Sequence, residues 1–503
     1  MSDESFELVS ECFSNCSNLK QIKLPSSIDS IKDNSFSECS SLFHIAIPSS
    51  VTYIGNKVFF GCSKLVEITI PSSVISIGDG CFNGCTSLKH VTIHSKLAAI
   101  GSFFFNKCSS LETIKIPSSV ASIGDNAFNR CSSLTRITIP PSVTSIGDST
   151  FNGCSSLKQI TIPSSVTSIG SRAFFECTLL TKITIPSSVS TIGEAAFYEC
   201  KSLKQILISS LFTSIGDNTF NRCNSLTRIS IPSSVTSIGD FSFNECSSLE
   251  EITIPSSVTS IGSHAFSGCS YLEKVLFESP SSVTSIGSFA FNECSLLSEI
   301  NLPANLKLIE ASTFCKCDSL KQLTIPNCTT SIENEAFFKC YSLEQISIPS
   351  SMKSICDDAF NECSSLIKLT IPSSVTFIGR NSFKGCALLR QVSFSPSSSL
   401  KSIEPNSFED CSSLEEIKIP SSVTSICMNA FKGCSSLKRF FFEKPSSLNS
   451  IGKMALFGCS SLTKVSIPPS VVSIGENAFK KCNINKSNSS FPSQINLHFV
   501  GID

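Results

Sequence analysis

Residues 111–133 read L-E-T-I-K-I-P-S-S-V-A-S-I-G-D-N-A-F-N-R-C-S-S, and this 23-residue phrase returns about twenty times along the 503-residue chain. Its apolar positions are Leu111, Ile114, Ile116, Val120, Ile123, Ala127, Phe128 and Cys131. So few residues cannot enclose a core within one copy, so adjacent copies must bury each other's faces. A constant apolar frame at this period predicts a repeat solenoid, with one long core instead of several globular ones.

The repeat cysteine fixes the frame. It recurs at 21 positions from Cys16 to Cys482, and seventeen of the twenty intervals are 23 residues. The three intervals ending at Cys294, Cys411 and Cys459 are 25 residues, and in each a Phe and a longer Ser/Pro segment replace the usual Ile-Pro. Such insertions belong at corners, where they leave the coil frame intact.

Within a coil, Leu-x-x-Ile-x-Ile carries β-branched residues and ends at a Pro in fifteen of twenty copies, so it reads as a short parallel strand. Proline lacks the amide proton for a ladder bond, so it stops the strand and opens the Pro-Ser-Ser corner. Val-x-Ser-Ile then predicts a second, narrower ladder. The next residue is Gly in fourteen copies but Lys32, Glu310, Glu333, Cys356, Glu404 and Cys427 in the others. A demand for positive φ would not tolerate those substitutes, so this Gly is read as serving compactness. The following Ala-Phe-x-x-Cys reads as a single helical or 3-10 turn burying Phe and Cys together. The resulting domain map is an N-terminal extension over 1–4, the repeat array over 5–483, and a polar linker with a C-terminal capping strand over 484–503. In that tail, Ile495, Leu497 and Phe499 alternate as a strand would.

Composition narrows the function classes. With 39 basic and 40 acidic residues the formal charge is -1, so bulk electrostatics call for neither nucleic acid nor an anionic membrane. No apolar run approaches the roughly 20 residues of a transmembrane helix. The start, M-S-D-E-S-F-E-L-V-S, has no basic n-region or long apolar h-region and is not read as a Sec-type signal peptide.

Together, Leu-x-x-Ile-x-Ile-Pro, Ser-Ile-Gly and Ala-Phe-x-x-Cys closely resemble the 23-residue leucine-rich repeats of the BspA-like surface antigen family, over roughly residues 5–483. The Ser-rich form is similar to the protozoan type. The resemblance implies a right-handed leucine-rich-repeat arc with parallel β-strand ladders, short helical or 3-10 turns and little regular helix. It also implies a non-enzymatic protein in adhesion or protein–protein interaction, with host matrix proteins as partners and a place at the cell surface. The alternative is an intracellular leucine-rich-repeat scaffold or regulatory-subunit-type binding protein. A cytoplasmic location fits the absent signal peptide and the many unpaired cysteines.

Candidate chemistry is sparse. Equivalent cysteines on stacked coils point the same way and not towards each other, so the column reads as buried small apolar residues, with disulfide or metal roles as the lesser readings. Of the six off-column cysteines, Cys12, Cys81, Cys315, Cys328, Cys356 and Cys427, the one in C-K-C, Cys315, is expected to be the most exposed. His44 and His90 share a column two coils apart, about 10 Å by strand spacing, too far for one metal ion. No catalytic motif is found, and no catalytic, cofactor or metal residue is assigned. The outward position of the first strand offers more. It carries Arg136, Gln159, Lys182, Gln205, Arg228, Glu251 and Lys274, a cation every second coil, beside a mostly hydroxylated column that includes Thr138, Thr161 and Thr184. This row is a candidate protein-binding strip. The plain alternative is a solvated sheet face, where Thr supplies β-propensity and interleaved Gln keeps like charges off adjacent strands.

Overall fold

A computed structural model of the protein describes residues 6–493 and 495–502. The expected N-terminal extension over 1–4 lies outside them. They form two compact units, Met1–Leu249 and Glu250–Asp503. Each is a β-solenoid of stacked coils with almost no helix, the one 3-10 helix among the described residues being Lys486–Asn488.

Both expected ladders are present. In the first unit the strands Thr113–Lys115, Arg136–Thr138, Gln159–Thr161, Lys182–Thr184, Gln205–Leu207 and Arg228–Ser230 form a six-stranded parallel sheet. Pairing is in strict repeat register, as in Ile114 on Ile137 and Ile137 on Ile160. The narrower ladder is two residues wide, as at Ser122–Ile123 and Ser145–Ile146. The second unit repeats both, with a four-stranded sheet from Lys368–Ile371 to Arg439–Phe442 on the first-strand side.

A third rail of hydrogen bonds runs through the Phe–Cys segment. Bonds of the 3-10 type close there, from Asn129 N to Asn126 O at 3.1 Å and from Cys131 N to Phe128 O at 3.1 Å. They do not propagate into a helix, because Asn126 and Arg130 both have φ of 58°. A left-handed residue every fourth position keeps the chain out of a helix, and every second N–H points to the next coil. Asn126, Phe128 and Arg130 donate to the carbonyls of Asp148, Thr150 and Asn152 at 2.9, 2.9 and 2.6 Å. A left-handed conformation costs a non-Gly residue about 1–2 kcal/mol, and here it leaves the backbone donor satisfied. The rail explains two further sequence columns: Asn recurs two residues before the Phe, and Gly stands two residues after it at Gly61, Gly84, Gly153, Gly268, Gly385 and Gly433, all with positive φ.

The Gly after the second strand does serve compactness. A Cβ on Gly124 would lie 2.7 Å from the backbone nitrogen of Ser102 in the preceding coil. The Phe column is fully buried from Phe36 onward, with Phe197 stacked on Phe174 at 5.4 Å and on Phe220 at 5.6 Å between ring centroids. Such offset stacks contribute about 0.5–1.5 kcal/mol each beyond burial. The corner serines add a further ladder, as in Ser119 Oγ donating to Leu97 O at 2.7 Å.

The tail covers the last coil without the expected strand. Ser490 bridges Ser466, and Asn477 N and Phe479 N donate to Phe499 O and Val500 O at 3.1 and 2.9 Å. The segment expected as a capping strand is therefore a turn that continues the third rail, with Val500 buried against it.

Candidate binding face

The cysteine column is part of the interior. Cys39 to Cys459 of the column are buried, and thiols along it find an acceptor in the coil before, as in Cys154 Sγ to Phe128 O at 3.2 Å and Cys223 Sγ to Phe197 O at 3.2 Å. The Phe128 carbonyl thereby uses both lone pairs, one for Cys131 N–H and one for the Cys154 thiol. Burial pushes the Cys154 and Cys246 thiols up to about 12, so they are protonated and unreactive at neutral pH.

Cys315 is not the exposed off-column thiol. It is 5 % exposed, and burial raises it to about 12. Cys328 is exposed instead, because it replaces the corner serine and donates to Leu306 O at 3.3 Å as those serines do. Among the described residues no group of three His, Cys, Asp or Glu could hold a metal ion.

The outward positions are displayed in register. Arg136, Gln159, Lys182, Gln205 and Arg228 stand opposite one another on consecutive strands of the six-stranded sheet, all exposed. Glu251 and Lys274 belong to the second unit, where they face each other on adjacent strands. Lys274 is half-buried and paired with Glu299 at 2.8 Å. Leu207 is the odd member of the hydroxylated column and is 68 % exposed.

Sequence reading missed the residue one position earlier. Strand alternation would turn it inward, but it precedes the first ladder pair and is exposed at Lys158 and Lys204, and its equivalent Glu344 lines the same depression as Gln345, which places this position beside the Arg136–Lys182 column. In the second unit this face bends into a depression of about 810 Å³ lined by Glu299, Gln322, Thr324, Gln345, Ser347 and Lys368.

One cluster of charges at the turn edge is mutually satisfied. Arg222 bridges Glu199 at 2.9 Å and Glu245 at 3.2 Å. Burial opposes ionisation of Glu199, but hydrogen bonds from Arg222 and Lys201 outweigh it and hold the carboxyl below its usual range. This cluster is thus bound to itself, whereas Arg136, Lys182 and Arg228 on the first-strand face are exposed.

A family model for the BspA-type leucine-rich repeat region matches in overlapping segments from 6–135 to 389–497. The chain belongs to the BspA-type leucine-rich-repeat family. A leucine-rich repeat protein from Bacteroides ovatus is 27% identical, over 85% of this chain and 92% of that one, with a TM-score of 0.49. A leucine-rich cell surface protein from Faecalibacterium prausnitzii is 30% identical, over 75% and 88%, with a TM-score of 0.39. The comparison with curated proteins returns no match. Among the described residues no helix is long and apolar enough to cross a membrane.

Proposed function

We propose that this protein is a non-catalytic, surface-associated adhesion protein that engages protein partners through the first-strand face. Family membership supports a binding role, because members of this repeat class present long β faces to other molecules. The observation that carries the reading is the contrast within each coil: the inward positions repeat almost without change, while the outward first-strand positions are exposed and vary. The candidate residues are Arg136, Gln159, Lys182, Gln205, Arg228, Glu251 and Lys274, and host matrix proteins are the partners the family resemblance points to. The free thiols, with Cys12, Cys16 and Cys328 exposed, favour an intracellular scaffold as the second reading.

Two measurements test this. Antibody staining of intact and permeabilised cells of the source organism is expected to label both, and labelling only after permeabilisation would overturn the surface assignment. Binding of the full chain to immobilised extracellular-matrix proteins is expected to drop at least about tenfold for Gln345→Trp on the face, but not for Ser118→Trp at a corner. The opposite pattern would place the binding surface elsewhere.

A further inference from the structure

From Thr135 to Ser230 the outward first-strand positions hold five cations, Arg136, Lys158, Lys182, Lys204 and Arg228, and no carboxylate. The acids of this stretch, Asp148, Glu176, Glu194, Glu199 and Asp217, lie in the turn segments of their coils, away from the first strands. The cations zigzag. Arg136, Lys182 and Arg228 occupy one column, and Lys158 and Lys204 the adjacent column in the coils between. Among the described residues, the ion pairs Lys32–Glu7, His44–Glu67, Lys201–Glu199, Arg222–Glu199 and Arg222–Glu245 involve neither Arg136 nor Lys158, Lys182 or Lys204. Beside them the hydroxyls of Thr138, Thr161 and Thr184 face outward, and Leu207 adds an exposed aliphatic surface.

We propose that this strip binds a linear anionic polysaccharide laid across the strands, one charged sugar per coil. The proposal rests on the first-strand face being the binding face, and it names the ligand for the first unit. Its geometric basis is the pitch. Coils of a parallel ladder repeat at about 4.8 Å, and one sugar ring of a linear chain spans about 5 Å, so one cation per coil meets one sulfate or carboxylate per ring. An extended acidic peptide repeats its same-face side chains at about 6.7 Å and falls out of phase within three coils. Threonine hydroxyls offer hydrogen bonds to ring hydroxyls, and Leu207 offers an apolar surface to a ring face. A face that only needed solvation could have balanced its charges across strands, which stabilises a sheet. One sign held over five coils forgoes that gain.

The test uses the full chain and a heparin decasaccharide as probe, with uncharged dextran, poly-L-glutamate and a single-stranded oligonucleotide as comparisons. Heparin is expected to bind with an affinity that falls steeply with salt, and the triple substitution Lys158→Gln, Lys182→Gln, Lys204→Gln is expected to weaken it at least about 30-fold and flatten the salt slope. Lys182→Arg should keep the affinity, and Lys418→Gln in the second unit should leave it unchanged. No heparin binding, or equal binding by the triple variant, overturns the proposal. So does tighter binding of poly-L-glutamate or the oligonucleotide, each of which would assign the strip to that polymer. If heparin fails while Gln345→Trp still abolishes matrix-protein binding, the face reading stands and only the polysaccharide falls.

Discussion

The stretch Thr135–Ser230 and the second unit treat the same outward columns in opposite ways. In the first, Thr135 to Ser230 display cations separated by Gln and Thr, without an acid on the face. In the second, the equivalent positions carry both signs and pair across strands: Lys274 with Glu299 at 2.8 Å, Lys418 with Glu443 at 2.9 Å, Lys438 with Glu415 at 3.3 Å, and Arg439 with Glu416. Beneath both faces the interior is the same, a stacked Phe column with Phe174 on Phe197 in one unit and Phe337 on Phe360 in the other. The fold is therefore written in positions that do not vary, which frees the outward columns to diverge. The second unit has spent that freedom on neutralising itself, and the Thr135–Ser230 stretch displays a charge of one sign.

The largest effect should be shared by both units, because it comes from the interior. Burial raises the folded pKa of the column thiols, as for Cys154 and Cys246 at about 12 in the first unit and Cys411 and Cys434 in the second. Unfolded thiols ionise above about pH 8.5, while the folded ones keep their protons, so the unfolded chain binds fewer protons and stability falls as pH rises. Stability is complete below that pH and is lost at about 1.4 kcal/mol per pH unit for each buried thiol that unfolds with its neighbours. Denaturation midpoints at pH 7, 9 and 10 should fall steeply for both units. A flat profile would mean that the thiols are not buried as a column.

Smaller effects separate the faces. Gln159→Glu would place an acid between Arg136 and Lys182 on adjacent strands and should stabilise the first unit by about 0.2–1 kcal/mol while blocking heparin. If it left heparin binding unchanged, the single-sign strip would have no role. Smaller still, Lys438→Ala removes an exposed pair partner and should cost less than about 1 kcal/mol, with the loss vanishing at high salt. A loss insensitive to salt would show that these pairs hold the second face by packing, not by charge.

How much was legible in the sequence follows the same division. The period located the coils, the Leu-x-x-Ile-x-Ile segment located the first ladder, and Phe197 stacks on the two residues one period away. The third rail was less legible, since left-handed residues such as Arg130 are not of a type that announces positive φ. The Asn and Gly columns flanking the Phe were the available signal. Cys315 and Cys328 were misjudged for a related reason: exposure in a corner or turn depends on which residue it replaces, not on its local neighbours. Lys158 and Lys204 went unnoticed because period-two alternation was applied one residue before the ladder starts.

The central claim is that inward positions carry the fold and outward first-strand positions do not. Chemical denaturation of Phe197→Ala beside Lys182→Ala, two positions of one coil, tests it most directly. Phe197 is fully buried between two stacked rings, so its truncation should cost on the order of 3–5 kcal/mol and weaken coupling between neighbouring coils, splitting unfolding into two steps. Lys182 is exposed, and its loss should move stability by no more than about 0.5 kcal/mol with a single transition retained. Two variants unfolding alike would contradict the account.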